Sequence, residues 1–401
     1  MKKNVVLINR WTSAVGFTSF ETYIDQEAFC AHYLVTAGSR SAIQAPAERV
    51  CMLQDLEFDT IAAELERLIA AHGAIDCLIA MAEKDLLVAG QLRECFGIPG
   101  QTFAEARKFI DKGIMKQVIA AAGIETPRFR ELADGPEGLQ FPLILKPKCE
   151  ASSRGVEKVT SPAELAAKSA GLRARDYLLE EFCPDGIYHL DGFVDRGEIV
   201  FLMSNQYVGT CLAHAHGQPL GSVQATDPAR TASFRGFAGR VIKALKLESG
   251  SFHLECFLRG ETPVFLEIGA RAGGGDIREV IALAHGFDIV KAWIDVQLGR
   301  RPQLPRNPDP ARAGGWLIFP ASASAAILES ASSFRGRFTC LQREYIFSRG
   351  HRFSGAGDVH THSAARFLFA GPESDIREAM RTILASFRAS YREESAAVVE
   401  I

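Results

Sequence analysis

Short apolar runs alternate with helical patterns in the first hundred residues of the chain. Runs typical of buried strands occur at 5–9, 31–36 and 77–81, and apolar positions recur at helical spacing over 60–72. This βαβ order predicts a small parallel sheet covered by helices. The sequence contains neither GxGxxG nor the lysine motif of a P-loop, which argues against those two modes of nucleotide binding. Glu83 follows the third strand, where it either faces a ligand or, as we prefer, occupies the first turn of the next helix.

A loop suited to phosphate binding is predicted further along the chain. An apolar strand over 143–146 ends in Lys146 and Pro147, and a small-residue loop over 151–155 and a second strand follow. Such a hairpin can place backbone N–H groups and hydroxyls over phosphate oxygens, while Lys146 supplies a positive charge. Lys112 stands in the first turn of a predicted helix, where the helix dipole disfavours a lysine unless an anion lies nearby.

The run YLLEEF at 177–182 passes from a predicted buried strand into two acids, and a Pro-Asp-Gly turn follows. A carboxylate beside free backbone groups can bind the donor and acceptor edge of a purine. Glu180 and Glu181 suit a solvated strand end equally well, so the residues leave both interpretations open.

The strongest chemical signal is a pair of acids in a predicted hairpin over 251–268. A turn centred on Glu261 places Glu255 opposite Glu267, in strands that are otherwise apolar. Carboxylates in such a pair lie about 5 Å apart and repel each other unless a proton, a basic group or a cation intervenes. Oxygen ligands on a preformed sheet suit Mg²⁺, although a hairpin with solvent-facing charges is the alternative. The same register gives three apolar pairs: Leu254 with Ile268, Cys256 with Leu266, and Leu258 with Val264.

Length and composition narrow the class of protein. A chain of 401 residues suggests two or three domains. A net charge of −3 and scattered arginines give no basic field for nucleic acid, and no apolar stretch reaches membrane-spanning length. The N-terminus lacks a signal-peptide pattern, so we expect a cytoplasmic protein with no nucleic-acid or membrane partner. The proline-rich stretch 300–315 predicts a linker, followed by an α+β region with a helix over 373–391.

Together these motifs resemble the ATP-grasp superfamily over about residues 80 to 290. The ending Glu-x-x-x-Arg-x-Gly-Gly-Gly, from Glu267 to Gly275, is similar to the branch that contains L-amino-acid ligases. Many members carry an Asn two residues after the second acid, whereas this chain has Gly269, a departure that puts one metal ligand in question. The motifs that follow the family's order are Asp111-Lys112, Lys146-Pro147 with its serine loop, Glu180-Glu181-Phe182, Glu255, and Glu267 with Arg271.

The resemblance implies a mixed α/β and α+β architecture, the ATP-grasp fold. It has an N-terminal parallel-sheet (pre-ATP-grasp) domain at 1–110, a two-lobed ATP-binding region at 111–305 with its small lobe at about 111–182, and a C-terminal α+β lobe at 306–401. The implied cofactors are ATP and Mg²⁺, with Mn²⁺ as an alternative ion. The implied metal ligands are Glu255 and Glu267. The implied catalytic group is Arg271. The implied substrate contacts are Arg271, Gly273, Gly274 and Gly275. The implied ATP contacts are Lys112, Lys146, Ser152, Ser153, Gly155, Glu180, Glu181, Phe182, Cys183 and His189, with Tyr188 as the alternative to His189 at the ribose.

The implied chemistry is ADP-forming ligation of a carboxylate to an amine. The γ-phosphoryl group of ATP would pass to the carboxylate, and an amine would then displace phosphate, without a protein nucleophile. We expect amino acids or a small peptide-like acid as substrates and a homodimer as the candidate assembly. Two alternatives are a carboxylase acting on bicarbonate and a nucleotide-binding module without turnover. Retention of both lysines, both acids and Arg271 argues against the module.

Overall fold

The computed structural model describes residues 2–12, 19–304, 311–355, 357 and 359–393. These residues form four β-sheets and the helices that cover them. The predicted linker at 300–315 lies partly outside the described residues, and the predicted domain boundary at 305–306 lies wholly outside them. Among the helices described, none combines the length and the apolar character needed to cross a membrane.

The N-terminal region contains the predicted parallel sheet. Val5 lies opposite both Ala31 and Cys77, so the first strand is central and parallel to both neighbours. Its side chains from Val5 to Ile8 are almost completely buried, as expected for a sheet covered on both faces. The strands are β1 (Lys3–Asn9), β2 (Phe29–Val35), β3 (Val50–Met52) and β4 (Cys77–Ala80), in the order β3-β2-β1-β4, with helices α1 (Phe58–His72), α2 (Glu83–Phe96) and α3 (Phe103–Arg107).

A small antiparallel sheet follows a helix whose first turn contains Lys112. Asp111 caps this helix, because its carboxylate accepts hydrogen bonds from the backbone N–H groups of Gly113 and Ile114. The helix is α4 (Lys112–Ala121); the sheet has the order β5-β8-β6-β7 and consists of β5 (Phe129–Glu131), β6 (Leu143–Pro147), β7 (Glu157–Val159) and β8 (Tyr177–Glu181), with helix α5 (Pro162–Ser169).

The largest sheet has eight strands. They are β9 (Ile187–Asp195), β10 (Glu198–Val208), β11 (Leu220–Gln224), β12 (Gly250–Arg259), β13 (Thr262–Gly269), β14 (Ala313–Pro320), β16 (Leu341–Ile346) and β18 (Ser363–Gly371), in the order β13-β12-β9-β10-β11-β14-β18-β16. Three of them, β14, β16 and β18, come from beyond residue 311, so the sheet continues across the predicted second boundary. The accompanying helices are α6 (Cys211–Ala215), α7 (Pro228–Leu245), α8 (Ile277–His285) and α9 (Ile289–Gln297).

The hairpin of β12 and β13 confirms the acid pair and corrects part of the predicted register. Glu255 faces Glu267 and Leu254 faces Ile268, as predicted, but a β-bulge after Glu255 shifts the remaining pairs by one residue. Cys256 therefore faces Phe265, and Leu258 faces Pro263. The loop has two residues, and Gly260 at its first position has φ 59°, which fits a type II′ turn and not a wider turn centred on Glu261.

The C-terminal region differs from its prediction at one end. The helix predicted over 373–391 ends earlier, as α10 (Glu373–Ser386). Residues Ala389–Glu393 instead form β19, which pairs with β15 (Ala325–Ala331) in a sheet with β17 (Arg352–Ser354). Pairing with a neighbouring strand thus outweighs the helical pattern of this segment.

Candidate active site

Lys112 joins the predicted phosphate loop to the predicted metal hairpin. Its Nζ donates a hydrogen bond of 2.6 Å to the carbonyl of Glu150 and lies 3.5 Å from Oε2 of Glu267. Its backbone N–H also donates to the carbonyl of Lys148 at 3.0 Å. The first turn of α4, the start of the loop and one acid of the hairpin therefore meet at this lysine.

The predicted small-residue loop over 151–155 has a strongly turned backbone. Ser152 and Ser153 have φ of 57° and 55°, and Gly155 has φ 67°, so three of its residues adopt left-handed conformations. Serines rarely adopt this conformation unless the local structure requires it. Ser152 and Gly155 are exposed to solvent, which leaves the tip of the loop accessible to a ligand.

Lys146 and Glu180 form the centre of a buried ionic triad that includes a third residue, Lys116. Nζ of Lys116 and Nζ of Lys146 each lie 2.8 Å from the same oxygen, Oε2 of Glu180. Lys146 and Glu180 occupy diagonal positions on the adjacent strands β6 and β8, so their side chains share a face. Burial raises the pKa of Glu180, but the two lysines outweigh burial and hold this pKa below its ordinary value.

The remaining predicted adenine contacts lie around the end of β8. Glu181 pairs with Arg128 at 3.0 Å, and its backbone N–H donates to the carbonyl of Arg128. Phe182 carries the ammonium of Lys158 over its ring, 3.5 Å from the centroid. The thiol of Cys183 is buried and lies 3.2 Å from a carboxylate oxygen of Asp185. The carboxylate of Glu180 is occupied by lysines, so this arrangement supports a structural role for it more strongly than a direct adenine contact.

The two predicted metal ligands differ in exposure. The side chain of Glu267 is 35% exposed, whereas that of Glu255 is 11% exposed. Tyr207 donates to Oε1 of Glu255 at 2.7 Å, and Nε2 of His253 lies 3.4 Å from the same oxygen. Burial raises the pKa of Glu255, while His253 and Tyr207 lower it more, so the carboxyl has a pKa below its ordinary value. Two carboxylates that face each other across paired strands fit the hard oxygen ligands that Mg²⁺ prefers.

Glu255 belongs to a polar row on one face of the large sheet, which consists of His189, Asp191, His253 and Glu255. Asp191 is at the centre of this row and is completely buried; its two oxygens lie 2.6 Å from Nδ1 of His189 and 2.8 Å from Nδ1 of His253. Burial opposes charge on His253, but Asp191 and Glu255 outweigh it and raise the pKa of His253 to about 10. His189, Asp191 and His253 are close enough to share a metal ion. The short distances between them and the raised pKa of His253 favour a hydrogen-bonded network instead.

The predicted ribose contacts find no support in this geometry. His189 is completely buried, and its second ring nitrogen lies 2.6 Å from Oγ of Ser222, so protein groups occupy both nitrogens. Tyr188 is also buried, in the opposite face of the sheet, where its ring packs 5.1 Å from that of Phe234. Alternation along β9 explains both placements, because neighbouring residues of a strand point to opposite faces.

Arg271 and the glycines after it adjoin this polar row. Nε of Arg271 donates to Oε2 of Glu83 at 2.5 Å, so Glu83 does more than occupy the first turn of its helix. A Cβ on Gly273 would lie 2.6 Å from Oδ1 of Asp191 and 2.9 Å from Nδ1 of His253, which only a glycine avoids. A Cβ on Gly274 would meet nothing within 4 Å. The proposed substrate segment therefore packs directly on the Asp191–His253 pair.

Sequence reasoning missed Lys116, Asp191, His253 and Tyr207. Lys116 was detectable because it lies four residues after Lys112, on the same face of a helix. His253 was detectable because it lies two residues before Glu255 and shares its face of the strand. Asp191 lies directly opposite His253 across β9 and β12, a pairing that needed the strand order as well as the sequence.

No family model matches the chain. It is 26% identical over 278 residues to the L-arginine-specific L-amino acid ligase of Bacillus subtilis, an alignment that covers 65% of this chain and 67% of that protein. The structure superposes on that of an L-amino acid ligase from Bacillus licheniformis with a TM-score of 0.76 and 17% identity, covering 98% of this chain and 99% of the other. The chain has the ATP-grasp fold.

A second solved structure gives a similar match. This is the biotin carboxylase domain of the Hydrogenobacter thermophilus 2-oxoglutarate carboxylase, in complex with MgADP, ADP and bicarbonate, with a TM-score of 0.69, 16% identity and coverage of 98% and 91%. The chain spans 67% of the length of the arginine-specific ligase but only 49% and 46% of two other curated relatives. The predicted fold class and the resemblance to amino-acid ligases are confirmed, and the roles of individual residues stay predictions.

Proposed function

We propose that this ATP-grasp protein is an ADP-forming carboxylate–amine ligase that makes an amide or peptide bond through an acyl phosphate. Its substrates would be amino acids or a small peptide-like acid, in keeping with the ligases that it resembles. The observation that carries the proposal is the position of Lys112, which contacts the carbonyl of Glu150, the residue just before the loop, and the acid Glu267. An ammonium between a phosphate loop and a metal ligand can neutralise a phosphate that enters the space between them.

The ATP and metal sites follow from the same residues. Lys112 and Lys146 would contact phosphate oxygens, and the exposed loop containing Ser152 and Ser153 would cover them. Glu255 and Glu267 would hold Mg²⁺, with Mn²⁺ as an alternative because it accepts the same oxygen ligands. When bound, the ion neutralises negative charge on the phosphates as the phosphoryl group moves.

The reaction needs two bond exchanges and no protein nucleophile. A carboxylate oxygen of the substrate bonds to the γ-phosphorus while the bond from phosphorus to the bridging oxygen of ADP breaks. The amine nitrogen then bonds to the acyl carbon, phosphate leaves with the original carboxylate oxygen, and the nitrogen loses a proton. Arg271, held by Glu83, would stabilise negative charge on the transferring group, and the backbone at Gly273–Gly275 would approach the substrate.

A bicarbonate carboxylase is the second candidate. It is supported by the similarity to the biotin carboxylase domain. In that case bicarbonate would replace the amino-acid carboxylate as the phosphoryl acceptor, so ADP release would depend on bicarbonate.

The test is a screen of ADP release with pairs of amino acids, each amino acid alone, and bicarbonate. The proposal expects release that requires an accepted acid and amine together, with Mg²⁺ or Mn²⁺ present. Release that needs bicarbonate and no amino acid would support the carboxylase. ATP consumption independent of every acceptor would contradict both reactions.

We also propose that the chain divides near residues 110 and 305, that it forms a homodimer and that it is cytoplasmic. Light scattering at several protein concentrations would test the assembly, and limited proteolysis would test the division.

A further inference from the structure

Lys116 is a completely buried lysine that contacts no solvent and lies between two parts of the candidate site. Its Nζ lies 2.8 Å from Glu180 and donates to Oγ1 of Thr126 at 2.8 Å. Thr126 in turn donates to the backbone carbonyl of Phe265 at 3.0 Å. Phe265 lies beside the bulge of the hairpin and two residues before Glu267. Lys116 therefore connects the lysine–carboxylate pair of the small sheet to the strand that carries a proposed metal ligand.

The triad has more positive than negative charge. Two ammonium groups share one carboxylate, and the exposed fractions of the side chains are 0% for Lys116, 5% for Lys146 and 3% for Glu180. Burial lowers the pKa of Lys116 to about 8, with the attraction of Glu180 acting against burial. An unbalanced charge in a dry site is costly, and an incoming phosphate anion would relieve that cost.

The charge balance also determines how available Lys146 is. With Lys116 present, Glu180 is shared, so Lys146 keeps part of its charge for a phosphate. Without Lys116, Lys146 and Glu180 would form a neutral buried pair, and a phosphate would have to compete with Glu180 for the same ammonium.

We propose that Lys116 is a positioning residue for ATP, which holds Glu180 so that Lys146 remains available to phosphate and which fixes the metal-bearing strand through Thr126. This inference rests on the proposed function, since it assumes that Lys146 binds ATP. Lys116 itself touches no substrate and is not a catalytic residue.

The first test compares Lys116→Met with Gln117→Met. Methionine has about the length of lysine without its charge, and Gln117 is an exposed neighbour on the same helix. We expect Lys116→Met to raise KM for ATP roughly tenfold, with a smaller change in kcat, because Glu180 would then compete with phosphate for Lys146 and weaken that charge-assisted contact. Gln117→Met should leave both constants unchanged. Equal KM values for wild type and a folded Lys116→Met protein would overturn the proposal.

The second test needs no variant. The groups facing Lys116 are Glu180, Lys146 and Glu267, the hydroxyl of Thr126, and the rings of Phe129 and Phe265. Phosphate binding near Lys146 should favour the charged form of Lys116, so the wild-type protein should take up protons near pH 8 when it binds ATP.

Calorimetry with Mg²⁺ and a non-hydrolysable ATP analogue, in two buffers of different ionisation enthalpy, measures this uptake. Binding to wild type without proton uptake near pH 8 would contradict the role of Lys116 while leaving the proposed function intact. A wild-type protein that fails to bind the analogue would instead contradict the proposed function.

Discussion

Arg271 donates through Nε to Oε2 of Glu83 at 2.5 Å, although 188 residues separate the two in the chain. Glu83 begins α2 beside the parallel sheet, and Arg271 follows the acid hairpin of the large sheet. Both side chains are about one fifth exposed, at 23% for Glu83 and 22% for Arg271. The pair thus joins the N-terminal region to the proposed site of phosphoryl transfer, and it keeps the guanidinium in one orientation.

Replacing Glu83 with Gln should lower kcat while leaving ATP affinity nearly unchanged. The amide can still accept one hydrogen bond from Arg271 but lacks the charge that orients the guanidinium, so we expect a loss of roughly tenfold. Glu94→Gln, an exposed acid on the same helix, is the matched control. Steady-state kinetics with saturating ATP would measure the effect, and a Glu83→Gln protein with full kcat would exclude a functional role for this ion pair.

Replacing Glu267 with Gln should abolish ligation at ordinary Mg²⁺ concentrations, because it removes one of the two charges that face the proposed metal. Folding should be unaffected, since the contact with Lys112 is long, at 3.5 Å, and partly exposed. Glu261→Gln changes an exposed acid in the turn of the same hairpin and serves as the control. Phosphate release measures ligation and a melting curve measures stability. Wild-type turnover by Glu267→Gln would show that Glu267 is not a metal ligand.

Replacing Gly273 with Ala should destabilise the fold by about 1–3 kcal/mol, the usual cost of overpacking a dense site. The new methyl would lie 2.6 Å from a carboxylate oxygen of Asp191, so the buried network must shift. Gly274→Ala introduces the same methyl where no atom lies within 4 Å and should cost much less. Chemical denaturation measures the free energy of unfolding of both variants. Equal values would show that the Asp191–His253 pair tolerates displacement.

The contribution of one buried acid, Asp276, to the free energy of unfolding should fall as the pH rises from about 4 to about 6. Burial raises the pKa of Asp276 from 3.8 to about 6, although Arg366 acts in the opposite direction. The folded chain therefore retains a proton that the unfolded chain releases, and each tenfold difference in proton affinity is worth about 1.4 kcal/mol. We expect this group to reduce the free energy of unfolding by roughly 3 kcal/mol over that interval.

Urea denaturation of wild type and Asp276→Asn at several pH values measures this contribution. The asparagine cannot titrate, so the difference between the two slopes isolates Asp276 from the other acids. Parallel curves for the two proteins would show that Asp276 is already ionised at pH 4.

Alternation along strands made the acid pair predictable, because Glu255 and Glu267 are the polar positions of otherwise apolar runs. The bulge after Glu255 was not predictable, since an extra residue in one strand leaves no pattern in that strand alone. The polar row was partly visible: His253 and Glu255 share a face of β12, and His189 and Asp191 share a face of β9. Their contact depends on β9 pairing with β12, which the order along the chain does not give.

The roles of the residues in the ATP motifs could likewise be predicted only in part from the sequence. The position of Lys112 in the first turn of a capped helix followed from the local sequence, and the structure confirms that placement. The position of Glu180 at a strand end leaves its role open, and the family resemblance implies an adenine contact, yet its carboxylate lies between Lys116 and Lys146. Only the packing of α4 against the small sheet and the hairpin brings Lys116 to this carboxylate, so tertiary structure decides its role.

The fate of one oxygen atom tests the central claim most directly. If a substrate carboxylate attacks the γ-phosphorus, one carboxylate oxygen must leave in inorganic phosphate when the amine displaces it. Incubation with ¹⁸O-carboxylate-labelled acid, ATP, Mg²⁺ and an accepted amine should therefore give labelled phosphate in step with amide product and ADP. Amide product accompanied by unlabelled phosphate, or by AMP in place of ADP, would contradict the acyl-phosphate ligase.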